Sequence, residues 1–312
     1  MVYDLIIVGG GPAGISAGIY AARKRVKTLL ITKEWGGGFK FSSKIENFIG
    51  IKSISGIELA KKLEEHIKSY EGNFLQIKEN CTVEKIEKKE EIFEVETSDK
   101  EKYSSYAILV ASGCGKKKLK VPKASEFEGK GIFYCASCDA PLMENKNVAI
   151  IGGGNSGFET ARQLLPYAKK LYILEYAKEF RAEQILREEV LKQKNVIPIL
   201  MAEVLEVGGE KFVEFLKYKN RETGKIEEIK VDGIFVEIGI EPNSDFVKDL
   251  VNINDKKEII VDHKNCRTSC EGIWAAGDVT DQSYKQIGVA IGEGIKAAED
   301  IFYWLKEKIK KK

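Results

Sequence analysis

Two cysteines separated by two residues, Cys135 and Cys138 in the run Phe133-Tyr-Cys-Ala-Ser-Cys-Asp139, can close a small and easily reversed disulfide. Dithiol chemistry needs a source of electrons. The pair lies between two glycine-rich runs, Gly9-Gly-Gly11-Pro12-Ala13-Gly14 and Gly152-Gly-Gly154-Asn155-Ser156-Gly157, each of which fits a dinucleotide-binding turn. One dithiol and two nucleotide sites in a single chain make an electron relay.

The elements that must position these groups repeat. An apolar run at residues 3–8 enters the first glycines, a helical pattern follows over 13–23, and a second apolar run covers 26–31. This is a βαβ unit, in which glycines let the backbone approach a pyrophosphate and the helix start supplies free N–H groups to it. The pattern recurs as strand 147–151, helix 155–165 and strand 171–174. The second copy ends at Glu175, where a carboxylate can accept both ribose hydroxyls of NAD and repel a 2′-phosphate. In the first copy the strand is expected to end at Thr32 and Lys33, with Glu34 late for that role.

Residues 81–111 alternate in strand fashion, with Phe93 and Val95 on one face and Glu94 and Glu96 on the other. The lysine run Lys116-Lys-Lys118 reads as a solvated face in a linker, and residues 204–236 read as one β-meander with a turn at 220–224. Glu241-Pro242-Asn243 punctuates a second crossing.

The 312 residues suffice for two domains, and 43% hydrophobic with 31% charged residues is the composition of an ordinary globular protein. A net charge of +2, from 50 basic and 48 acidic side chains, gives no reason to expect nucleic acid as a partner. No apolar stretch approaches the roughly 20 residues that span a bilayer, so no membrane is expected and the protein is placed in the cytoplasm. Of six cysteines only Cys135 and Cys138 have motif spacing, and no histidine or further cysteine completes a metal set around Cys266 and Cys270.

These motifs, in this order, resemble the low-molecular-weight thioredoxin reductases and the reductase portion of the alkyl hydroperoxide reductase flavoprotein. Glu46-Asn47-Phe-Ile-Gly50 is similar to the family segment along the flavin, with Gly38 in place of a glutamine and Ile49 in place of a proline. Ala111-Ser-Gly113 is similar to the strand end that completes the flavin domain. Ala275-Ala-Gly277-Asp278 resembles the signature whose aspartate holds the ribityl chain of FAD, and Gln286 matches a glutamine near the flavin ring. The NADPH-linked thioredoxin reductases carry His-Arg-Arg where this chain has Glu175-Tyr-Ala177; only Arg181 of the downstream piece is kept, and the neighbouring residues are closer to the NADH-linked peroxide-reductase flavoprotein.

The resemblance implies an α/β fold of two Rossmann-like, three-layer (ββα) nucleotide-binding domains, the NAD domain inserted into the FAD domain. The discontinuous FAD-binding domain would comprise 1–112 and 243–312, and the NAD(P)H-binding domain, carrying the dithiol, 113–242. Electrons would pass from NADH, preferred over NADPH, through FAD to the Cys135–Cys138 disulfide and on to a thioredoxin- or glutaredoxin-like protein, which in turn feeds a peroxiredoxin system. Cys138 would lie against the flavin, Cys135 would attack the incoming disulfide, and Asp139 would shuttle the proton. The peroxide-reductase flavoprotein has an N-terminal thioredoxin-like extension, whereas this sequence opens on its first strand, so the carrier is expected to be separate. Relatives are usually homodimers, which implies the same here. Two alternatives stay open at this point: a ferredoxin-dependent flavin thioredoxin reductase, and a redox-sensing flavoprotein without turnover.

Overall fold

The computed structural model describes residues 2–42 and 45–310; Ser43 and Lys44, inside the 35–50 loop, lie outside them. The chain divides into two compact units, Met1–Gly115 with Glu241–Lys312, and Lys116–Ile240.

The first unit opens with β1 (Val2–Gly10), α1 (Pro12–Arg23) and β2 (Thr28–Trp35). Leu5, Ile6 and Ile7 are fully buried, the continuous apolar run of a strand covered on both faces. Proline at the first helical position costs α1 no hydrogen bond, because that N–H would have no helical partner. After a 3₁₀ turn at Gly37–Phe41 comes α2 (Gly56–Lys68), started by a reciprocal capping box between Ser55 and Glu58. β3 (Leu75–Lys78), β4 (Val83–Lys89), β5 (Ile92–Thr97) and β6 (Lys102–Val110) complete a sheet of order β3-β2-β1-β6-β5-β4. In β5 Phe93 and Val95 are buried while Glu94 and Glu96 are not, as the alternation requires. Strand β2 runs two residues beyond the expected end, so Glu34 lies within it.

β7 (Cys114–Lys116) leads to the second unit, which begins with β8 (Ile132–Phe133) and the one-turn helix α3 (Ala136–Asp139). β9 (Asn147–Ile151), α4 (Asn155–Leu164), β10 (Lys170–Leu174), α5 (Gln184–Leu191) and β11 (Val196–Ile199) repeat the βαβ pattern. β12 (Ala202–Gly208), β13 (Phe215–Asn220) and β14 (Ile226–Lys230) form an antiparallel meander, followed by β15 (Gly233–Val236). The expected single meander over 204–236 is corrected here: β15 leaves it and pairs in parallel with both β9 and β8, giving the order β11-β10-β9-β15-β8. All four residues of β15 are buried, which suits a central strand of a doubly covered sheet and not the half-exposed meander.

The chain returns through β16 (Ile240–Pro242) to β17 (Ile273–Ala275), which joins β6, and ends in α6 (Ile287–Lys310). Helix α6 packs on α1 at backbone distance. A Cβ at Gly294 would meet the Ala13 carbonyl oxygen at 2.1 Å and Ser16 Oγ at 2.3 Å. The buried Trp274 indole stacks edge-on against Trp304 of α6 and donates its N–H to Asp300 at 2.8 Å. Among the described residues no helix is long and apolar enough to cross a membrane.

The α1–α6 contact predicts opposite outcomes for two glycines of one helix. Gly294→Ala should destabilise the protein by about 1–3 kcal/mol in urea unfolding, because the added methyl overlaps fixed backbone. Gly292→Ala, where a Cβ has open space, should be neutral or stabilising by up to about 1 kcal/mol through helix propensity. Equal effects of the two would contradict the packing described.

Candidate redox site

Strand β8 delivers Cys135 in extended conformation to the start of α3, whose single turn brings Cys138 back over it. The two form a disulfide with Cα atoms 5.5 Å apart, and the Cys138 backbone N–H donates to Cys135 Sγ at 3.2 Å. Cys138 is exposed and Cys135 half-buried. Ser137, between them, donates to Gln163 of α4 at 2.8 Å, tying the dithiol turn to the helix that starts at the second glycine loop. Asp139 is half-buried, and burial pushes its carboxyl above the ordinary carboxylate range.

The second loop is shaped by contacts that exclude side chains. Gly152 has φ +115°, and a Cβ on Gly157 would lie 1.9 Å from the Gly152 carbonyl oxygen. Gly154, by contrast, faces open space, and α4 starts with no side-chain cap, so its first N–H groups remain available. Glu175 stands one residue past β10, with Oε2 accepting from Gly153 N–H at 2.8 Å and Oε1 from Ala177 N–H at 2.9 Å. The segment beyond it collars the loop: Arg181 N–H donates to the Gly153 carbonyl at 2.9 Å and Glu183 N–H to Asn155 Oδ1 at 2.7 Å. Asn155 therefore positions the collar, and Arg181 reaches the loop through its backbone while its side chain is exposed. Ser156 is exposed beside them.

The first unit repeats this shape. Gly9 has φ +120°, a Cβ on Gly14 would lie 1.9 Å from the Gly9 carbonyl oxygen, and Gly11 has no neighbour closer than 4.0 Å. Pro12 and Ala13 open α1, again without a side-chain cap, and Ala13 lies against Gly277. Gly113 adopts φ +62° and its carbonyl accepts from Asn243 N–H at 2.9 Å. Asp278 is half-buried; its carboxyl has no hydrogen-bond partner among the described residues, and burial raises it above its usual value. Asn47 Nδ2 donates to Gln286 Oε1 at 3.3 Å, so two side chains 239 positions apart meet.

Several groups here carry no motif. Glu293, on α6 and 4% exposed, accepts from Gly277 N–H at 2.7 Å and from Gln282 Nε2 at 2.9 Å, fixing the turn that bears Asp278. Cys114 donates its thiol to the Asp278 carbonyl at 2.9 Å, and burial pushes that thiol up to about 12. Lys116 is not simply solvated, because its ammonium meets both carboxylate oxygens of buried Glu237 at 2.6 Å, and Thr160 donates to the same carboxylate at 2.9 Å. Glu293 and Glu237 could have been suspected only as acids amid apolar runs.

The open cradles at Gly11 and Gly154, the uncapped helix starts and the half-buried Asp278 carboxyl fit two dinucleotides, one with a polyol chain. The family model for pyridine nucleotide-disulphide oxidoreductases matches residues 3–294. The chain belongs to this family. Among solved structures, a thioredoxin reductase from T. acidophilum is 38% identical with TM-score 0.87, covering 98% of this chain and 99% of that one. A thioredoxin reductase from Lactococcus lactis is 32% identical with TM-score 0.91 over the same shares. Among curated proteins, a Bacillus subtilis NADH dehydrogenase and the F component of the Staphylococcus aureus alkyl hydroperoxide reductase are each 39% identical over 97% of this chain. The chain spans 58% and 59% of their lengths. This oxidoreductase is thus a flavoprotein of thioredoxin-reductase type, served by FAD and a pyridine nucleotide.

The raised Asp278 carboxyl sets the sign of a pH effect. The folded chain binds a proton there more tightly than the unfolded chain, whose aspartate titrates near about 4, so this contribution to stability is complete below that pH and is lost as pH rises through the folded value. Asp278→Asn should therefore raise the melting temperature of the flavin-free protein at pH 7.5 more than at pH 4. The same variant should purify with less bound flavin; full flavin content would remove Asp278 from the FAD contacts.

Proposed function

We propose that this chain is an NADH-preferring protein-disulfide reductase that passes electrons through Cys135 and Cys138 to a thioredoxin- or glutaredoxin-like protein. The observation that carries the reading is an accessible disulfide built onto the same unit as a dinucleotide loop whose ribose position holds a fixed carboxylate, Glu175. The names of two relatives, an NADH dehydrogenase and a component of an alkyl hydroperoxide reductase, support NADH as donor and a peroxiredoxin as the end of the chain reached through the carrier. We take the protein to act in the cytoplasm, and as a homodimer, as the resemblance to its family implies.

FAD, when bound, couples two-electron oxidation of a dihydronicotinamide to reduction of a disulfide. The residues of the chain do the rest. In the reduced pair the Cys135 thiolate attacks one sulfur of the carrier's disulfide, forming a mixed disulfide and releasing the carrier's other sulfur as thiolate. The Cys138 thiolate then attacks Cys135 Sγ, re-forming the intramolecular disulfide and releasing the carrier as a dithiol. The Cys138 N–H directed at Cys135 Sγ favours negative charge on that sulfur. Asp139, protonated to higher pH than a free carboxyl, supplies a proton to a departing thiolate and recovers it afterwards.

The dithiol and Glu175 belong to one unit, whereas Asp278, Asn47 and Gln286 belong to the other. Each must therefore come to the flavin in turn, and the two crossings near 113–116 and 239–243 serve as the pivot. Gly113 and Gly239, with φ +62° and +106°, hold conformations at those crossings that other residues rarely adopt.

Two measurements test the reading. Anaerobic bleaching of the oxidised flavin should be at least about tenfold faster with NADH than with NADPH, and Glu175→Ala should shrink that ratio. Bleaching by neither nucleotide would point to another electron donor. Cys135→Ser should leave NADH bleaching intact yet lower reduction of a thioredoxin-like disulfide by about a thousandfold or more; undiminished transfer would exclude the dithiol from the relay.

A further inference from the structure

The residue after Glu175 is an exposed tyrosine, Tyr176, at 54%, yet its ring is not free. The Arg221 guanidinium lies 3.8 Å from the Tyr176 ring centroid, and its Nη1 donates to the Tyr176 carbonyl at 3.0 Å. Arg221 comes from the tip of the β13–β14 hairpin, 45 positions away, and reaches this place through a chain of backbone bonds. Its N–H donates to Met201 O at 2.7 Å, and Met201 N–H donates to Ala177 O at 3.1 Å. Met201 itself holds φ +57°, and the hairpin tip is closed by Asn220, whose Oδ1 accepts from Glu222 and Thr223 N–H at 3.0 Å.

An exposed cation–π pair is worth only about 0.5–1 kcal/mol, a small return for a left-handed residue and an exposed aromatic. The location supplies a reason. Nucleotides bind parallel α/β sheets outside the carboxyl ends of their strands, and Tyr176 follows Glu175 at that end of β10, beside the collared glycine loop. With the ribose on Glu175, the adenine attached to it falls within reach of the adjacent ring. We propose that the Tyr176–Arg221 stack is the adenine platform of the pyridine-nucleotide site. Arg221 is its positioning residue: engaged by the ring and the Tyr176 carbonyl, its guanidinium is withheld from a 2′-phosphate. The inference rests on the proposed ribose role of Glu175.

The test is calorimetric binding of ADP-ribose and of its 2′-phosphorylated form to the FAD-loaded protein. Tyr176→Ala and Arg221→Ala should each weaken ADP-ribose about tenfold, the scale of losing a base-stacking partner, and Tyr176→Phe should restore the binding. In turnover the loss should fall on KM for NADH and not on kcat. A stack that only braces the hairpin would change the melting temperature and leave ADP-ribose affinity within twofold of the wild type, overturning the proposal. Loss confined to the 2′-phosphorylated ligand in Arg221→Ala would overturn it as well, making Arg221 a phosphate reader. Tighter binding of the 2′-phosphorylated ligand by the wild type would instead defeat the NADH preference, and the platform would still be judged by Tyr176→Ala with either ligand.

Discussion

A carbonyl oxygen standing where a side chain would begin governs both units. The Gly9 carbonyl lies 1.9 Å from the Cβ position of Gly14, and the Gly152 carbonyl lies 1.9 Å from that of Gly157. Any side chain there would push the helix start away from the end of the first strand. Each loop is also pressed against the neighbouring parallel strand: Gly9 would place a Cβ 2.2 Å from Ala111 O, and Gly152 would place one 2.2 Å from Glu237 O. The turn, the helix and the third strand thus fix one another, and an uncapped helix N-terminus is left at the mouth. Whatever polyanion the loop accepts is bound by backbone, so each unit's ligand must be chosen by the residues around it.

Those surroundings differ at one equivalent point. Past Gly10 the first unit presents Thr32, whose hydroxyl turns back on its own chain and donates to Glu34 O at 2.6 Å, while the Glu34 carboxylate is paired with Lys40. Past Gly153 the second unit presents Glu175, with both carboxylate oxygens oriented by backbone N–H groups. Each of those oxygens retains acceptor capacity for a ribose hydroxyl. In the first unit an acid without a hydrogen-bond partner among the described residues comes from far along the chain, at Asp278, held by a turn that Glu293 anchors. One backbone solution is therefore joined to two differently placed carboxyls: in the first unit one brought from far along the chain, in the second one from the end of the adjacent strand.

The parts of this arrangement that are local in sequence are legible in it. Strand, glycines and helix follow one another within a few residues, and period-two burial in β5 reads directly from Phe93, Glu94, Val95 and Glu96. What is not local is not legible. The run Gly233–Val236 differs from a meander strand only by being buried throughout, and its place between β9 and β8 is decided by partners about 85 and 100 residues away. Lys116 reads as one lysine among three until Glu237 is folded beside it. Glu293 and Arg221 likewise act through carbonyls, N–H groups and rings that lie 16 and 45 positions off.

The crossings show what such distant pairings accomplish. On the first-unit side Ser112 donates to Asn243 O at 2.6 Å and Asn243 Nδ2 donates to Ser112 O at 2.9 Å, so the outgoing and returning strands are clasped reciprocally. On the second-unit side Lys116 is held by Glu237, and Lys117 N–H donates to Gly239 O at 3.0 Å. A buried carboxylate paired with an ammonium recovers little net stability after desolvation, so the pair is better understood through what it restrains. Between the two clasps β7 pairs with β16, so the outgoing and returning chains cross as one two-stranded ribbon. The rotation proposed above would have to run through this ribbon, and because the dithiol and the second nucleotide loop belong to one unit it would carry both together.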